Sequence, residues 1–288
     1  MKKYWSPAAL KAKPGRIWAL CTALVPTSAC LPLCGTPILV PGLKIFILWG
    51  AVYTLAAAFH YVCCRQKLST IFCINYESMR ISKINLGIFY LGVIYVVGIV
   101  GILLPIHPEF IRLTPLNLLV SLGTVLVFHP DWSKNTGIAL GALLVFGFLA
   151  EVFGVNTGLL FGTYAYEEVL GWKLWNTPLM IGINWMLLGY CCGVTVNQFF
   201  PKWTWWQKGP LASGMMVFLD LFIEPVAIRY NFWEWPGGVV PLQNYIGWYL
   251  VSLPLLSLFA YLQGQIRNKV AVALLLMQLL FFVILTFF

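Results

Sequence analysis

Three carboxylates lie inside long apolar stretches of this 288-residue sequence, where acidic residues are uncommon. Asp220 and Glu224 are four residues apart in "DLFIE", a spacing that places both side chains on one face of a helix. Glu151 follows the apolar run "GALLVFGFLA". Burial and a second carboxylate nearby both favour the protonated form of an acid, and a positioned proton donor is what general acid catalysis requires. The three acids indicate either a proton-transfer site or a structural hydrogen bond between helices.

The composition indicates an integral membrane protein. Of the residues, 60% are hydrophobic, 16% are aromatic and only 9% are charged, whereas a soluble domain carries roughly 25% charged residues. The net charge of +9 comes from basic residues that stand singly or in pairs between apolar runs. This pattern is typical of orientation signals at membrane edges and argues against a nucleic-acid partner.

Seven apolar runs predict seven transmembrane helices. A spanning helix needs about 20 mostly apolar residues, and runs of this length are too long for the strands of a barrel. The predicted helices are Ile84–Ile106, Ile111–Phe128, Thr136–Val155, Thr177–Phe199, Pro210–Ile228, Gln243–Leu262 and Val270–Phe288. The fold class is therefore all-α, with residues 79–288 forming a seven-helix membrane domain.

Residues 1–78 are predicted to be an N-terminal extension of different character. The stretch "LVPTSACLPLCGTPILVPG" is rich in proline and cysteine, while "ILWGAVYTLAAAFHYVCC" fits one extra transmembrane helix. The segment that begins at Met79, "MRISKINLGIFYLGVIYVVG", also fits a natural start. The alternative is therefore that residues 1–78 are not part of the native protein.

The basic residues predict that the membrane domain begins in the cytoplasm and ends outside it. One set of alternating helix ends carries Arg80, Lys83, Lys134, Lys202, Lys208, Arg267 and Lys269, and the other carries Arg112, Lys173 and Arg229. In this orientation the three submerged acids all lie in the outer half of the bundle. A charge at mid-bilayer depth costs at least about 2.5–3.5 kcal/mol, so these acids are expected to face a cavity or a partner.

Two predicted outer loops mix aromatic, glycine and amide residues. They are "NTGLLFGTYAYEEVLGWKLWN" and "RYNFWEWPGGVVPLQN". The candidates for lining a pocket at this end are the aromatic residues Tyr164, Tyr166, Trp233, Trp235 and Trp248 and the polar residues Asn156, Thr157, Asn184 and Asn244. Five further tryptophans fit an interfacial belt instead; they are Trp172, Trp175, Trp203, Trp205 and Trp206.

Neither a metal site nor a cofactor site is expected from the sequence. His60, His107 and His129 lie away from the three acids, and there is no glycine-rich nucleotide-binding loop. The eight cysteines include the adjacent pairs Cys63-Cys64 and Cys191-Cys192, which suit neither zinc spacing nor an unstrained disulfide.

Four motifs at the candidate residues are specific when they are taken together: "EVFGVNTGLLFGTYAY", "DLFIEPVA", "FWEWPGG" and "VPLQNYIGW". In their order and spacing they resemble the carotenoid hydratase family of the CruF type, over roughly Ile84 to Leu262. The resemblance implies a cofactor-free, multi-pass enzyme of a bacterial-type cytoplasmic membrane. The partners it implies are a carotenoid substrate, the lipid bilayer and other enzymes of carotenoid synthesis.

The resemblance also implies a reaction, the addition of water to the terminal double bond of an acyclic carotenoid end, as in lycopene or γ-carotene. The product is a tertiary alcohol, a 1'-hydroxy carotenoid. The hypothesis is that Asp220 donates a proton to one alkene carbon and that Glu224 or Glu151 holds the water as base. The other expected roles are contact with the carbocation by Tyr164, Tyr166 and Trp235, and positioning of the water and the carboxyls by Asn156, Thr157 and Asn244.

The polyene would need an apolar slot that opens to lipid. The glycine-rich faces of "GIALGALLVFGF" and "GVIYVVGIVG" fit such a slot and fit close helix packing equally well. Two other functions stay open. A proton-coupled transporter would also carry submerged acids, but it predicts acids spread across the membrane and an inverted repeat. A carotenoid cyclase would begin with the same protonation and capture the cation internally.

Overall fold

The computed structural model describes residues 83–104 and 110–288. The predictions for residues 1–78, the extension and its candidate transmembrane helix, lie outside the described residues. The same holds for two of the three histidines and two of the acids, namely His60, His107, Glu77 and Glu109.

Seven helices occupy the described residues, which confirms the predicted all-α bundle. They are α1 (Lys83–Leu103), α2 (Thr114–Val127), α3 (Lys134–Thr157), α4 (Leu179–Phe199), α5 (Trp205–Arg229), α6 (Leu242–Gln263) and α7 (Lys269–Phe287). All except α2 are long and apolar enough to cross a membrane. The protein is a multi-pass integral membrane protein.

Helix α2 is shorter than predicted. It has 14 residues, a length of about 21 Å at a rise of about 1.5 Å per residue, whereas the hydrocarbon core is about 30 Å thick. Pro115 lies in its first turn. Backbone N–H groups in the first turn have no acceptor within the helix, so a proline there costs no hydrogen bond. The predicted span Ile111–Phe128 is therefore shortened at both ends.

Helix α5 begins five residues before its predicted start at Pro210. The backbone N–H of Thr204 has no acceptor within the helix backbone and donates instead to Oε1 of Gln207 at 3.0 Å, which is half of a capping box. This cap starts the helix early enough for Pro210 to lie inside it. The helix then runs without interruption past Asp220 and Glu224.

The helices pack around an aromatic and aliphatic core. Helix α5 packs along α6, α3 packs along both α4 and α6, and α1 packs along α7. A Cβ atom on Gly147 of α3 would lie 2.5 Å from the ring of Trp185 in α4, and one on Gly101 of α1 would overlap Phe110. Gly137 and Gly141 of α3 face open space. The glycines thus permit close packing at Gly147 and Gly101.

Two short strand pairs lie at the end of the bundle where α3 and α5 end. Strand β1 (Ala165–Tyr166) pairs antiparallel with β4 (Trp233–Glu234), and β2 (Lys173–Leu174) pairs antiparallel with β3 (Thr177–Pro178). The β1–β4 pair joins the loop between α3 and α4 to the loop between α5 and α6. Both loops therefore cover the same end of the bundle, as the sequence predicts.

Candidate active site

Helices α3 and α5 bring the three submerged acids together. Glu151, Asp220 and Glu224 are at most 2% exposed, and all three line one small cavity, called the chamber below. Asp220 and Glu224 are one helical turn apart on α5, so they project from the same face. The chamber lies beneath the two loops that β1 and β4 join.

Glu151 accepts three hydrogen bonds. The hydroxyls of Tyr164 and Tyr166 donate to its Oε2 at 2.5 and 2.8 Å, and the indole N–H of Trp185 donates to its Oε1 at 3.0 Å. A hydrogen bond to a charged group contributes about 1.5–3 kcal/mol. These three donors replace the water that burial removes, and they fix the orientation of the carboxylate.

Glu224 also accepts three hydrogen bonds, whereas Asp220 accepts one. The indole N–H groups of Trp233 and Trp235 donate to Oε2 of Glu224 at 2.8 and 3.0 Å. The side-chain amide of Asn244 donates to Oε1 of Glu224 at 2.9 Å and to Oδ2 of Asp220 at 3.2 Å. Asn244 thereby links the two acids of α5.

The pairing of β1 with β4 explains why four aromatic residues point into the chamber. Successive side chains of a strand point to opposite faces, and the intervening residues Ala165 and Glu234, which lie opposite each other, are exposed. The side chains at the alternate positions face inward; they are Tyr164, Tyr166, Trp233 and Trp235.

The two tyrosines act as hydrogen-bond donors because they keep their protons. Burial, and after it the nearby charge of Glu151, raises the pKa of Tyr164 and the pKa of Tyr166 above the ordinary value for tyrosine. Both phenols therefore remain protonated at neutral pH and donate to Glu151.

Two stacked aromatic pairs form walls of the site. Tyr164 stacks on Trp235 with ring centroids 4.8 Å apart, and Trp185 stacks on Trp248 with centroids 4.4 Å apart. Aromatic faces attract a cation, by about 2 kcal/mol or more when the site is free of water. The acids and the aromatic rings together can hold positive charge in an apolar surrounding.

The chamber has a volume of about 20 Å³, and a cavity needs at least about 10–15 Å³ to hold one water molecule. Its lining residues are Glu151, Tyr164, Tyr166, Ile181, Asn184, Asp220, Ile223, Glu224, Trp233, Trp235, Asn244 and Trp248. The amide of Asn184 makes no hydrogen bond with another residue in ranges 83–104 and 110–288. It is therefore free to bind a molecule in the chamber.

The structure brings ten of the twelve residues singled out in the sequence to the chamber and leaves out two. Asn156 and Thr157 are exposed, and their side chains donate to backbone carbonyls of their own helix, at Val152 and Phe153. The reason is that α3 continues through Thr157 and ends at Gly158, with a φ of 68°. Both side chains therefore turn away from Glu151 instead of folding back over it.

Trp185 is a site residue that the sequence did not reveal. It is fully buried in α4 next to the predicted Asn184 and donates to Glu151. In the sequence, a tryptophan of the site within an apolar helix looks the same as a tryptophan of the core or of the interfacial belt. Its position one turn after Ile181 on the inner face of α4 becomes informative only once Glu151 is known to lie opposite.

His129 belongs to a different cluster from the acids. Its Nδ1 lies 2.9 Å from the hydroxyl of Tyr190, and its Nε2 lies 2.8 Å from the carbonyl oxygen of Asp131. Among the described residues there is no group of three or more histidine, cysteine, aspartate or glutamate side chains arranged to hold a metal ion.

The fold and the site together define a multi-pass membrane protein with a buried acidic chamber under two paired loops. Residues 115–288 match the family profile described as carotenoid biosynthesis protein. The chain belongs to this family, and the resemblance that the four motifs indicate is confirmed.

One curated relative is the bisanhydrobacterioruberin hydratase of Haloarcula japonica. It is 30% identical over 148 residues, which cover 46% of this chain and 47% of the relative. The match thus spans about half the length of that relative. No solved structure matches the chain.

Proposed function

We propose that the protein is a carotenoid 1',2'-hydratase, an enzyme that adds water to the terminal double bond of an acyclic carotenoid end. The observation that carries this proposal is the meeting of three buried carboxyls around a space of about one water molecule, between aromatic walls. Membership of a carotenoid biosynthesis family and similarity to a protein named as a hydratase support the substrate class and the reaction.

The proposed reaction has two bond-forming steps. An acid transfers its proton to C2' of the alkene, and the π electrons form the new C–H bond, which leaves a tertiary carbocation at C1'. Water then attacks C1', and a carboxylate takes the proton that the water releases. The net change is the addition of one water, so the reaction needs no oxidant and no reductant.

Asp220 is the proposed proton donor. Hydrogen bonds to the charged form of an acid favour that form, and Glu151 and Glu224 each accept three such bonds while Asp220 accepts one, at 3.2 Å. If the chamber holds one proton, it resides on Asp220.

Glu224 is the proposed base. It lies one helical turn from Asp220 and shares the amide of Asn244 with it, so the proton that Glu224 takes from water can return to Asp220 after each turnover. The unpaired amide of Asn184 would orient the attacking water. In this assignment Glu151 keeps its negative charge, and its role is to stabilise the carbocation.

The aromatic walls supply the rest of the stabilisation. Positioned proton transfer contributes about 10²–10⁴-fold to a rate, which leaves part of the barrier to electrostatic stabilisation of the cation. Tyr164 and its stacking partner Trp235 both line the chamber, as does Trp248, which stacks on Trp185. These rings cannot capture the cation as a nucleophilic solvent would.

The test is expression of the full chain in cells that accumulate lycopene or γ-carotene, followed by mass analysis of the pigments. The proposal expects a product heavier by one water for each modified end. An unchanged mass with a changed absorption spectrum would show cyclisation instead. Pigments unchanged in both mass and absorption would contradict a carotenoid end-group reaction.

A further inference from the structure

The chamber is too small for the substrate that the proposed function requires. Its volume of about 20 Å³ suits one water molecule, whereas binding sites for whole ligands have about 300–1,000 Å³. The bulk of a carotenoid must therefore lie in another part of the protein that leads to the acids. The inference drawn from this rests on the proposed function.

A second cavity, called the groove below, has the required size and lies directly beside the chamber. Its volume is about 370 Å³. It runs along the first half of α6, where Leu242 and Leu250 are separated by about 12 Å at a rise of about 1.5 Å per residue. The main lining residues are Leu159, Leu160, Leu242, Ile246, Gly247 and Leu250.

The polar group of the groove is already occupied. The side-chain amide of Gln243 donates to the carbonyl oxygens of Gly158 and Leu159, at 3.2 and 2.7 Å. These bonds hold the loop after α3 against the start of α6 and so form the second wall. Apart from Gln243, the groove is lined by hydrocarbon side chains and a glycine and by no charged group, which suits a polyene.

Helix α6 contributes side chains to both the groove and the chamber. Asn244 and Trp248 of α6 line the chamber, whereas Ile246 and Leu250 line the groove and are 50% and 60% exposed. The groove is therefore open at the surface that faces lipid. A hydrophobic substrate dissolved in the bilayer can enter it sideways.

Phe161 stands between the two cavities. Its ring packs edge to face against Tyr164 of the chamber, with centroids 6.4 Å apart. The same ring would lie 2.8 Å from a Cβ on Gly247 of the groove, and the carbonyl of Leu160 would lie closer still. The absence of a side chain at Gly247 is what lets the loop approach α6. Phe161 and Tyr164 thus form the aromatic wall between the groove and the chamber.

We propose that the groove binds the polyene chain of the acyclic carotenoid, with the terminal double bond passing Phe161 into the chamber. The polyene lies along α6 between Leu242 and Leu250, and the reacting end points toward Asp220. Phe161 is flanked by loop glycines with positive φ, Gly158 at 68° and Gly162 at 100°, so this segment has the backbone freedom to move the ring aside.

The experiment fills the groove without touching the chamber. The first variant is the double substitution Ile246→Trp and Leu250→Trp. Both side chains are exposed, so the fold should tolerate the added bulk. The second, milder variant is Leu250→Trp alone. The matched control is Leu258→Trp, an exposed position on the same helix that does not line the groove. Each full-length protein is purified from cells that accumulate lycopene, and the retained pigment and lipid per protein are measured.

The expected result is a loss of retained lycopene on the order of tenfold for the double variant, a smaller loss for the single variant and none for the control. In the cells, formation of the hydrated product should fall in the same order. Three results would overturn the groove as the polyene site. They are equal amounts of pigment on all the proteins, no pigment on any of them, and a loss of lipid without a loss of pigment in the variants.

These outcomes separate the groove from the reaction. If the wild-type protein retains pigment through the groove but forms no product heavier by water, the proposed function fails and the groove stands. If hydration proceeds at the same rate in all variants with unchanged pigment retention, the groove fails and the proposed function stands.

Discussion

Two buried polar clusters lie at opposite ends of the same helices, and only one of them contains acids. The chamber holds Glu151, Asp220 and Glu224 at the end covered by the two loops. The opposite cluster consists of His129, Tyr190, Asn268 and Thr136. Helix α4 contributes to both, because Trp185 donates to Glu151 and Tyr190, further along the helix, is bonded to His129.

The opposite cluster is fully paired and electrically neutral. The side-chain amide of Asn268 donates to the Tyr190 hydroxyl at 2.9 Å and to the carbonyl oxygen of Val125 at 2.8 Å, and its Oδ1 caps α7. Because the carbonyl of Asp131 can only accept, Nε2 of His129 carries the hydrogen. Burial lowers the pKa of His129, which keeps the imidazole neutral at neutral pH.

The difference lies in what distinguishes the proposed reaction site from buried polar structure in this protein. Both clusters satisfy most of their hydrogen bonds, so burial of polar groups alone does not mark chemistry. The chamber differs in having three carboxyls that compete for protons, an unpaired amide at Asn184 and room for a water molecule. We expect substitutions in the chamber to change turnover and substitutions in the opposite cluster to change stability.

The largest effect is expected from Asp220→Asn. The substitution keeps the shape of the side chain and removes the transferable proton, so product formation should fall by about 10²–10⁴-fold. The measurement is hydrated pigment per folded protein in lycopene-accumulating cells. The matched control is Asp131→Asn, the same chemical change at an exposed side chain beside the opposite cluster. Turnover near the wild-type value in Asp220→Asn would exclude Asp220 as donor.

A smaller loss is expected from Tyr166→Phe. It removes one donor to Glu151, a hydrogen bond to a charged group worth about 1.5–3 kcal/mol, and turnover should fall by about 10–100-fold. Tyr190→Phe makes the same change in the opposite cluster and should leave turnover per folded protein unchanged. Equal losses of turnover in both variants would erase the distinction between the two clusters.

The reverse pattern is expected from Asn268→Ala. It removes the cap of α7 and leaves the Tyr190 hydroxyl without its amide donor, at a cost of about 1–3 kcal/mol in stability. Thermal unfolding of the purified protein in detergent should show a lower midpoint, with pigment turnover per folded molecule preserved. An unchanged midpoint would show that the opposite cluster is not a stabilising element.

The smallest effect is expected from Asn156→Ala and Thr157→Ala. Both side chains are exposed and lie outside the chamber, so each change should stay within about 0.5 kcal/mol in stability, with turnover in cells close to wild type. A loss of turnover comparable to that of Tyr166→Phe would mean that these residues reach the substrate after all.

The sequence predicted the helices and most of the chamber because hydrophobic runs and submerged acids are strong local signals. It misplaced Asn156 and Thr157 because the predicted end of the third helix at Val155 was two residues too early. On a continuous helix Asn156 lies about 140° around from Glu151 at about 100° per residue. That angle would have excluded it had the helix end been known.

The pairing of the two loops could not be derived from the sequence alone, although a signal was present. In "TYAY" and "WEW" aromatic residues recur at every second position, the period of a strand. Two-residue strands are too short to stand out, and nothing in the sequence identifies which segments pair. The contact between β1 and β4 depends on the helices that bring the loops together.

The proposed mechanism requires the chamber to hold a proton on Asp220 for transfer to an alkene. Infrared difference spectroscopy of the detergent-solubilised protein at neutral pH tests it directly, because a protonated carboxylic acid has its own carbonyl stretch. We expect such a band in the wild-type protein, its loss in Asp220→Asn and its retention in Asp131→Asn. A wild-type protein with no protonated carboxyl band, or a band unaffected by Asp220→Asn, would contradict Asp220 as the protonated acid.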